Sequence, residues 1–210
     1  MKLARIAVLA FAMGAMMIPP LAAGQDGDYE PYEPYEPNPP GASNIPQQTL
    51  AASAIGCPFV NFNGIRFQGN SSRNAITGTA LNDLLRGGSA NDVVIGLRGD
   101  DCLFGQADAD HIVGSRGNDT MRGNSGKDSM FGSLGTDSMR GGSGPDKMVG
   151  GRGPNDDLRG GKGDDFVKSA DGRVDLPVRC GPGEDVARID PIDEVAGSCE
   201  TVEVVLIIVE

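Results

Sequence analysis

Aspartate recurs at a fixed interval along the middle of the chain, and this pattern is the feature best suited to do chemistry. Ten residues follow one another in steps of nine, with a single step of ten: Asp83, Asp92, Asp101, Asp110, Asp119, Asp128, Asp137, Asp146, Asp156 and Asp165. Carboxylate oxygens are the ligands that hard cations such as Ca²⁺ prefer. The spacing therefore indicates cation binding that is repeated along the fold.

Each aspartate lies in a frame of glycines and one apolar residue, as in Gly141–Val149, which reads GGSGPDKMV. Glycine lets the backbone turn tightly through positive φ, and the residues after the aspartate predict a short strand whose middle side chain points inward. One strand cannot bury that side chain alone, so the units must stack. Four inward residues are methionines, which we interpret as core filling and not as a redox or metal site: Met121, Met130, Met139 and Met148.

The residue before each leading glycine alternates in type, which indicates how many units complete one turn. Odd units mostly carry arginine and even units mostly an apolar residue, so the true period is eighteen. We predict two units per turn, two parallel sheets and about five turns over residues 77–168. The even positions form a stripe that either the Leu50–Ile76 segment covers or a partner or second copy binds: Ile95, Val113, Phe131 and Val149.

Two units per turn would align the aspartates in two columns, with neighbouring carboxylates about 5 Å apart. Like charges at that distance repel by about 3 kcal/mol at an effective dielectric constant of about 20. We therefore expect a cation between the turns. Carboxylates together with the carbonyl oxygens of tight loops suit Ca²⁺ better than Mg²⁺, which demands stricter octahedral geometry.

The two ends of the chain have different compositions. Lys2, Arg5 and the apolar run Ile6–Ile18 precede small residues at Leu21–Gly24, which predicts a cleaved export signal over residues 1–24, with an uncleaved anchor as the alternative. Tyr-Glu-Pro is then repeated three times, which predicts an extended, solvated linker over residues 25–49. Residues 50–76 are expected to form an N-terminal cap or short strands.

Composition excludes several classes of protein. The net charge of −11 argues against a nucleic-acid footprint. The single histidine, His111, rules out an H-E-x-x-H zinc site and is expected at the surface, and no G-x-S-x-G nucleophile motif occurs. We therefore expect no catalytic activity.

The repeats resemble the repeats-in-toxin (RTX), or hemolysin-type, calcium-binding nonapeptides, whose consensus is G-G-x-G-x-D-x-U-x. Gly141–Val149 and Gly160–Lys168 fit that consensus throughout, and the resemblance extends from about Thr77 to Lys168. It implies a right-handed parallel β-roll with Ca²⁺ between stacked loops. The implied metal-binding residues are the ten aspartates together with the glycines of the two best-formed loops: Gly141, Gly142, Gly144, Gly160, Gly161 and Gly163.

Several units depart from that consensus, and we expect weak or empty sites among the early ones because non-glycine residues tolerate positive φ poorly. The second glycine is replaced by Thr79, Leu97, Gln106, Ser115, Asn124 and Ser133, and the third by Leu81, Ala90 and Asp108. Before Asp156, an inserted residue also places both Pro154 and Asn155 after Gly153.

Residues 169–210 are expected to cap the roll, and they resemble the ending of exported actinobacterial proteins with these repeats. In an oxidising compartment we expect Cys180 to pair with Cys199. Cys57 and Cys102 then remain as a pair by elimination, and the sequence does not establish that they bond. Val204–Val209 is expected to be a buried or edge-pairing strand.

These features together predict a secreted, extracellular Ca²⁺-binding repeat protein that is not an enzyme. Two alternatives use the same fold: a surface adhesin or matrix protein with the roll as a stalk, and the repeat remnant of a secreted enzyme or toxin.

Overall fold

The structure is a computed structural model that describes residues 43–44, 57, 62–197 and 199–206. The predicted export signal and most of the predicted linker lie outside the described residues. The described chain consists of strands joined by turns. The strands are β1 (Ser43–Asn44), β2 (Arg66–Gln68), β3 (Ala75–Thr77), β4 (Leu84–Gly88), β5 (Val93–Arg98), β6 (Cys102–Ala107), β7 (His111–Arg116), β8 (Thr120–Ser125), β9 (Ser129–Leu134), β10 (Ser138–Ser143), β11 (Lys147–Gly151), β12 (Asp157–Lys162), β13 (Phe166–Lys168), β14 (Val186–Ile189) and β15 (Thr201–Val204).

Alternate strands join one of two sheets, so the chain coils. The first sheet has the order β1-β2-β4-β6-β8-β10-β12, and the second runs β3-β5-β7-β9-β11-β13-β14-β15. All neighbours are parallel except β1, which pairs antiparallel with β2. Met139 lies opposite Met121 on one side and Leu158 on the other, a shift of one turn in each direction. This confirms an all-β parallel β-roll with two nonapeptides per turn.

The coil has about eight turns, more than the five expected from the nonapeptides. The added turns lack the full glycine spelling but keep an inward apolar residue. Phe67 stacks on Leu85 at the start of the coil, and Ala187 stacks on Val167 towards its end. Burial of the inward residue is therefore enough to continue the stack, since the parallel ladder supplies the backbone hydrogen bonds.

One inward side chain from each strand forms the core. The four methionines are fully buried among aliphatic residues of neighbouring turns, which is the core-filling role expected of them. The cluster continues beyond the nonapeptides to Val178 and Ile189. A flexible thioether fills the narrow space between two sheets without a rigid shape of its own.

Most strands of the array have five or six residues, longer than the short strands expected, because the ladder continues through the glycines. Gly142, for example, pairs with Gly161 in the next turn. Further along each loop, the third glycine meets the previous turn closely. A Cβ atom on Gly135 would lie 1.8 Å from the carbonyl oxygen of Gly117, and its φ is +133°. At Gly135, the spacing between the two turns therefore leaves no room for a side chain, although Ala90 and Asp108 occupy the equivalent position in earlier turns.

A disulfide joins Cys57 to Cys102 on the outer face of the first sheet, with a Cα–Cα distance of 6.3 Å. Cys57, Leu84, Cys102 and Phe104 form a small buried cluster against which Phe62 packs. The described part of the N-terminal segment therefore contacts the first sheet. The stripe at Ile95, Val113, Phe131 and Val149 lies on the second sheet and is half-buried.

The second disulfide joins Cys180 to Cys199, as expected, with a Cα–Cα distance of 5.3 Å. It is followed by β15, the last strand of the second sheet, which pairs with β14 in parallel. This edge strand begins at Thr201, and Val204 and Leu206 are exposed. Within the described residues, no helix has the length and apolar character needed to cross a bilayer.

Replacing Gly135 with alanine should destabilise the roll strongly. The new Cβ combines an unfavourable left-handed conformation with a collision against the main chain of the previous turn. Gly197→Ala is the matched control, since Gly197 has φ of +127° but nothing within 4 Å of the added atom. We expect Gly135→Ala to lower the free energy of unfolding by at least about 2 kcal/mol more than Gly197→Ala, as overpacking adds to the conformational cost. Urea unfolding followed by circular dichroism measures both, and equal losses would contradict the stacking argument.

Candidate metal centre

Hydrogen bonds link the aspartates into two columns, one along each side of the roll. One side-chain oxygen of each aspartate, Oδ1, accepts a hydrogen bond from the backbone N–H of the corresponding residue one turn earlier. The Asp101 amide donates to Asp119 and the Asp110 amide to Asp128, at 2.8 and 2.9 Å. The same contact recurs from turn to turn along both columns. The predicted alignment of the aspartates is thus a property of the backbone ladder.

The second carboxylate oxygen, Oδ2, is left without a partner. All ten predicted aspartates are at most 2% exposed. Nine of them, all except Asp83, have a buried Oδ2 that makes no hydrogen bond in the described structure. A buried carboxylate oxygen without a hydrogen bond or counter-ion is costly. A repeated set of such oxygens is the electrostatic feature that a bound cation would resolve.

The leading glycine of each unit forms a cradle for its aspartate. A Cβ atom on Gly96 would lie 2.3 Å from Oδ2 of Asp101 and 2.9 Å from the carbonyl oxygen of Gly114 in the next turn. Gly141 has the same environment, with Asp146 and Gly160 as the two neighbours. Absence of a side chain therefore lets a carboxylate oxygen and a carbonyl oxygen approach the same point.

Burial raises the pKa values of the column aspartates from Asp92 to Asp165. The pKa rises to about 8 for Asp101 and Asp137, to about 7 for Asp110, Asp119 and Asp146, and to about 6 for Asp128, Asp156 and Asp165. Loss of hydration is the largest cause, and for most of them neighbouring carboxylates add to it. The amide that donates to Oδ1 opposes the shift. Without a cation, protons compensate part of the buried charge near neutral pH.

Asp83, in the first unit, differs from the other nine. Thr79 replaces the second glycine there and donates to the Asp83 carboxylate from its backbone N–H at 2.6 Å and from Oγ1 at 3.1 Å. Both oxygens of Asp83 are therefore hydrogen-bonded. Of the ten aspartates predicted as ligands, this one has its coordination space filled by protein donors.

Other departures from the consensus keep the loop shape. Five replacements of the second glycine have positive φ, between 78° and 91°: Leu97, Gln106, Ser115, Asn124 and Ser133. Ala90 and Asp108 do the same at the third position, whereas Thr79 and Leu81 do not have positive φ. The inserted Asn155 has φ of 64°. Loops in several units thus carry a conformational cost that the glycine loops at Gly141–Asp146 and Gly160–Asp165 avoid.

The columns extend beyond the residues predicted from the nonapeptides. The amide of Asp156 donates to Asp175, whose own amide donates to Asp193. In the other column, Asp165 donates to Asp185, and Asp185 donates to Glu200. Asp175 and Asp185 also have a buried Oδ2 without a hydrogen bond. The sequence signal for Asp175 was its spacing of nineteen residues from Asp156, whereas Asp185 ends the run Gly181–Asp185, which keeps part of the repeat consensus.

A second ladder runs along the loops, beside the first column. In part of the first column, the side chain before the aspartate accepts the amide hydrogen of its equivalent one turn later, as Asn82 does for Asp100 and Asp100 does for Asn118. Thr136 donates in turn to Asn118. These side chains tie successive loops together, and asparagine and aspartate do so equally well.

The donor set fits a hard cation and excludes a thiolate or imidazole metal. Within the described residues, no group of three or more His, Cys, Asp or Glu side chains is arranged to hold a metal ion by itself. Any site in the columns must therefore combine carboxylates with main-chain carbonyl oxygens. Such mixed oxygen sites are typical of Ca²⁺.

In a chelating buffer, stability should fall as the pH rises from about 4 to about 8. The folded pKa values exceed the value of 3.8 for an ordinary aspartate, so the folded state binds more protons in this range. The stabilisation is complete below pH 4 and is lost as each folded pKa is passed. We expect the Tm to drop by about 10 °C or more.

Thermal melts followed by circular dichroism test this expectation. Asp101→Asn should flatten the profile, whereas Asp100→Asn should not, because asparagine already occupies the equivalent positions at Asn82 and Asn118. A Tm that stays constant or rises across this range would contradict the assignment.

Comparison with known proteins agrees with this geometry. The family model of the RTX calcium-binding nonapeptide repeat matches four times, at residues 68–103, 77–112, 104–139 and 131–167. Neither the curated proteins nor the solved structures gave a match to the chain. Residues 68–167 are therefore an array of RTX calcium-binding nonapeptide repeats, as the sequence predicted.

Proposed function

We propose that this chain is an exported, non-catalytic Ca²⁺-binding protein whose ions lie between successive turns of the roll. The observation that supports it is the row of buried Oδ2 atoms without hydrogen-bond partners, from Asp92 to Asp165. In six of the nine units, a Cβ atom on the leading glycine would meet both this oxygen and a carbonyl oxygen of the neighbouring turn. Divalent cations between the turns would neutralise the carboxylates and satisfy both kinds of oxygen.

The ligands would come from the column aspartates and the glycine loops. Asp92, Asp101, Asp110, Asp119, Asp128, Asp137, Asp146, Asp156 and Asp165 would provide the carboxylates. Carbonyl oxygens would come from loops such as Gly141, Gly142 and Gly144, or Gly160, Gly161 and Gly163. The two glycine loops should bind most tightly, since they reach the required φ without strain. We place no ion at Asp83, because Thr79 already satisfies that carboxylate.

Binding would be coupled to folding. The columns exist only when the turns are stacked, so Ca²⁺ binds the folded chain and not the unfolded one. Each site stabilises the fold by about 2.7 kcal/mol when the free ion exceeds its Kd a hundredfold. The roll would be loose where Ca²⁺ is scarce and would stiffen outside the cell.

Export and the absence of catalysis are parts of this proposal. The N-terminal pattern and two disulfides support an oxidising, extracellular destination. The sequence motifs of zinc proteases and serine hydrolases are absent. The stalk of an adhesin or matrix protein, and the repeat portion of a secreted enzyme or toxin, are alternatives with the same roll. A zymogram against casein and tributyrin distinguishes the secreted-enzyme alternative from the non-catalytic ones.

A protein partner or a second copy could bind the apolar stripe of the second sheet. The stripe residues Ile95, Val113, Phe131 and Val149 stack in register along its outer face. The ring of His111 packs beside that of Phe131, with centroids 5.4 Å apart, so this histidine is half-buried and not a plain surface residue. Of the N-terminal segment, Cys57 and Phe62 contact the first sheet and not the stripe.

Ca²⁺ should increase the β-structure of the mature, oxidised chain. Starting from chelator at pH 8, where the aspartates are ionised, we expect a cooperative change in far-ultraviolet circular dichroism as Ca²⁺ reaches the millimolar range. Mg²⁺ should have little effect because it retains its waters. An unchanged spectrum would contradict the coupling between binding and folding.

Asp137→Asn and Asp83→Asn should separate a cation site from a hydrogen-bonded aspartate in the same column. Asparagine keeps the oxygen that accepts the neighbouring amide but removes the anionic Oδ2. Asp137→Asn should lower the number of bound Ca²⁺ ions by at least one. Asp83→Asn should cost about 1–3 kcal/mol of stability through Thr79 and leave the number of ions unchanged. Equilibrium dialysis with radioactive calcium measures both, and equal stoichiometry in the two variants would contradict the assignment of sites.

A further inference from the structure

The C-terminal end of the roll presents an open sheet edge. β15 is the last strand of the second sheet, and among the described strands it pairs only with β14. The backbone N–H and C=O groups along its other side therefore have no partner strand in the described structure. Such a row of groups is a template on which a further strand can form.

Core residues are exposed at this edge. Val202 lies in register with Ala187, and Val204 lies in register with Ile189, so both valines continue the inward face of the sheet. Ala187 and Ile189 are buried, whereas Val202 is 44% exposed and Val204 is 57% exposed. Leu206 follows two residues later and is 76% exposed. The last layer of the core is therefore uncovered, although the terminal units of stacked folds need a polar outer face for solubility.

The other edge of the same sheet is closed. Ile76, the inward residue of the edge strand β3, is 1% exposed. At the same end of the roll, the antiparallel strand β1 pairs with β2 and ends the first sheet. Head-to-tail stacking of copies needs two open ends, and the N-terminal end is covered. The surface of this chain that matches an open end is therefore the open end of a second copy, related to the first by a two-fold axis.

β15 also lacks the features that protect an edge strand from pairing. Its sequence contains no proline and no lysine. Its one charged residue, Glu203, is paired with Arg188, whose Nη2 lies 3.0 Å from Oε2 of the glutamate. Charged residues and prolines at an edge normally prevent association. The composition of this edge therefore favours the addition of a strand.

The side chains select one register for two copies of β15. In an antiparallel pair about a two-fold axis, directly opposite residues face the same side of the sheet. An axis at Glu203 would place two like charges opposite each other, and an axis at Val202 would leave Leu206 without a partner. An axis at Val204 places the two Val204 side chains together and each Val202 opposite Leu206 of the other copy. This register unites the three exposed apolar residues of both copies and keeps the glutamates apart.

We propose that two copies of this chain associate through their C-terminal ends, with the β15 strands paired antiparallel about a two-fold axis at Val204. The second sheet then continues from one copy into the other, and each copy covers the open core of its partner. The contact uses the same surface on both copies, so the assembly closes as a dimer.

The test is analytical ultracentrifugation of the complete mature chain, with both disulfides intact and in the presence of Ca²⁺, over a range of protein concentrations. We expect a dimer that dissociates on dilution. Val204→Lys places two charges at the axis and should raise the Kd of the dimer at least about thirtyfold, the loss typical of a residue at the centre of an interface. Leu134→Lys is the matched control, since Leu134 is 42% exposed but lies midway along the roll, and it should leave the Kd unchanged. Circular dichroism establishes that both variants are folded.

A cross-link tests the register independently of any change in affinity. Directly opposite residues of an antiparallel pair have their Cβ atoms about 5 Å apart. Under mild oxidation, Val204→Cys should therefore form a covalent dimer, whereas Leu134→Cys should remain without a cross-link.

Four outcomes overturn the proposal. They are a monomer at every concentration, a dimer that Val204→Lys does not weaken, a Val204→Cys variant that forms no covalent dimer, and assemblies that grow beyond two copies. Val113→Lys distinguishes association through the apolar stripe of the second sheet. A dimer that is lost in Val113→Lys and retained in Val204→Lys would place the interface on the stripe and contradict the one proposed.

Discussion

The structure depends on one electrostatic constraint, which is the burial of a carboxylate in each half-turn of the coil. Its first oxygen accepts an amide hydrogen from the turn before and so helps to set the register of the stack. Its second oxygen faces inward beside a glycine and, in nine of the ten repeats, has no hydrogen bond. Protons compensate this charge when the pH is low, and Ca²⁺ would do so when it is high. The same residue therefore serves the architecture through one atom and the proposed function through the other.

Glycine is the second requirement, and it acts through close approach more than through flexibility. The leading glycine leaves room for the carboxylate, and the third allows the carbonyl of the neighbouring turn to come within the space of a methyl group. Where another residue replaces the second glycine, that position keeps a positive φ, as at Leu97 and Gln106. In the first unit the loop has another shape, without positive φ at Thr79 or Leu81, and Thr79 donates to the Asp83 carboxylate. Because each turn contacts only its neighbours, such local exceptions do not disturb the rest of the roll.

Much of this architecture could be predicted from the sequence, because the residue types recur with periods of nine and eighteen. The frame around Gly141–Val149 gave the inward methionines, the two sheets and the alignment of the aspartates. The flanking turns were harder to predict, since Phe67 lies in a segment without the glycine spelling and Ala187 follows an incomplete one, with Cys180 in the place of the leading glycine. Their stacking depends on a single buried side chain each. The pairing of Cys57 with Cys102 depends on how the N-terminal segment packs across the first sheet, which no local pattern encodes.

The candidate site was predictable in composition but not in detail. Carboxylates at fixed spacing indicated the columns, and the residues themselves indicated Ca²⁺. Asp175 was missed because its turn has an irregular length and no glycine spelling. Asp185 follows a partial repeat, Gly181–Asp185, but was not counted among the metal-binding residues. Two features follow from three-dimensional contacts that spacing does not reveal. One oxygen of each carboxylate accepts a backbone amide hydrogen, and Thr79 donates hydrogen bonds to both oxygens of Asp83.

The most direct measurement is a crystal structure of the oxidised mature chain grown with Ca²⁺, with anomalous scattering recorded at long wavelength to locate the ions. The account predicts anomalous peaks between successive turns, within coordinating distance of the second oxygens of the column aspartates, and none beside Asp83. Columns that retain unpartnered carboxylates while Ca²⁺ binds only at the molecular surface would contradict it.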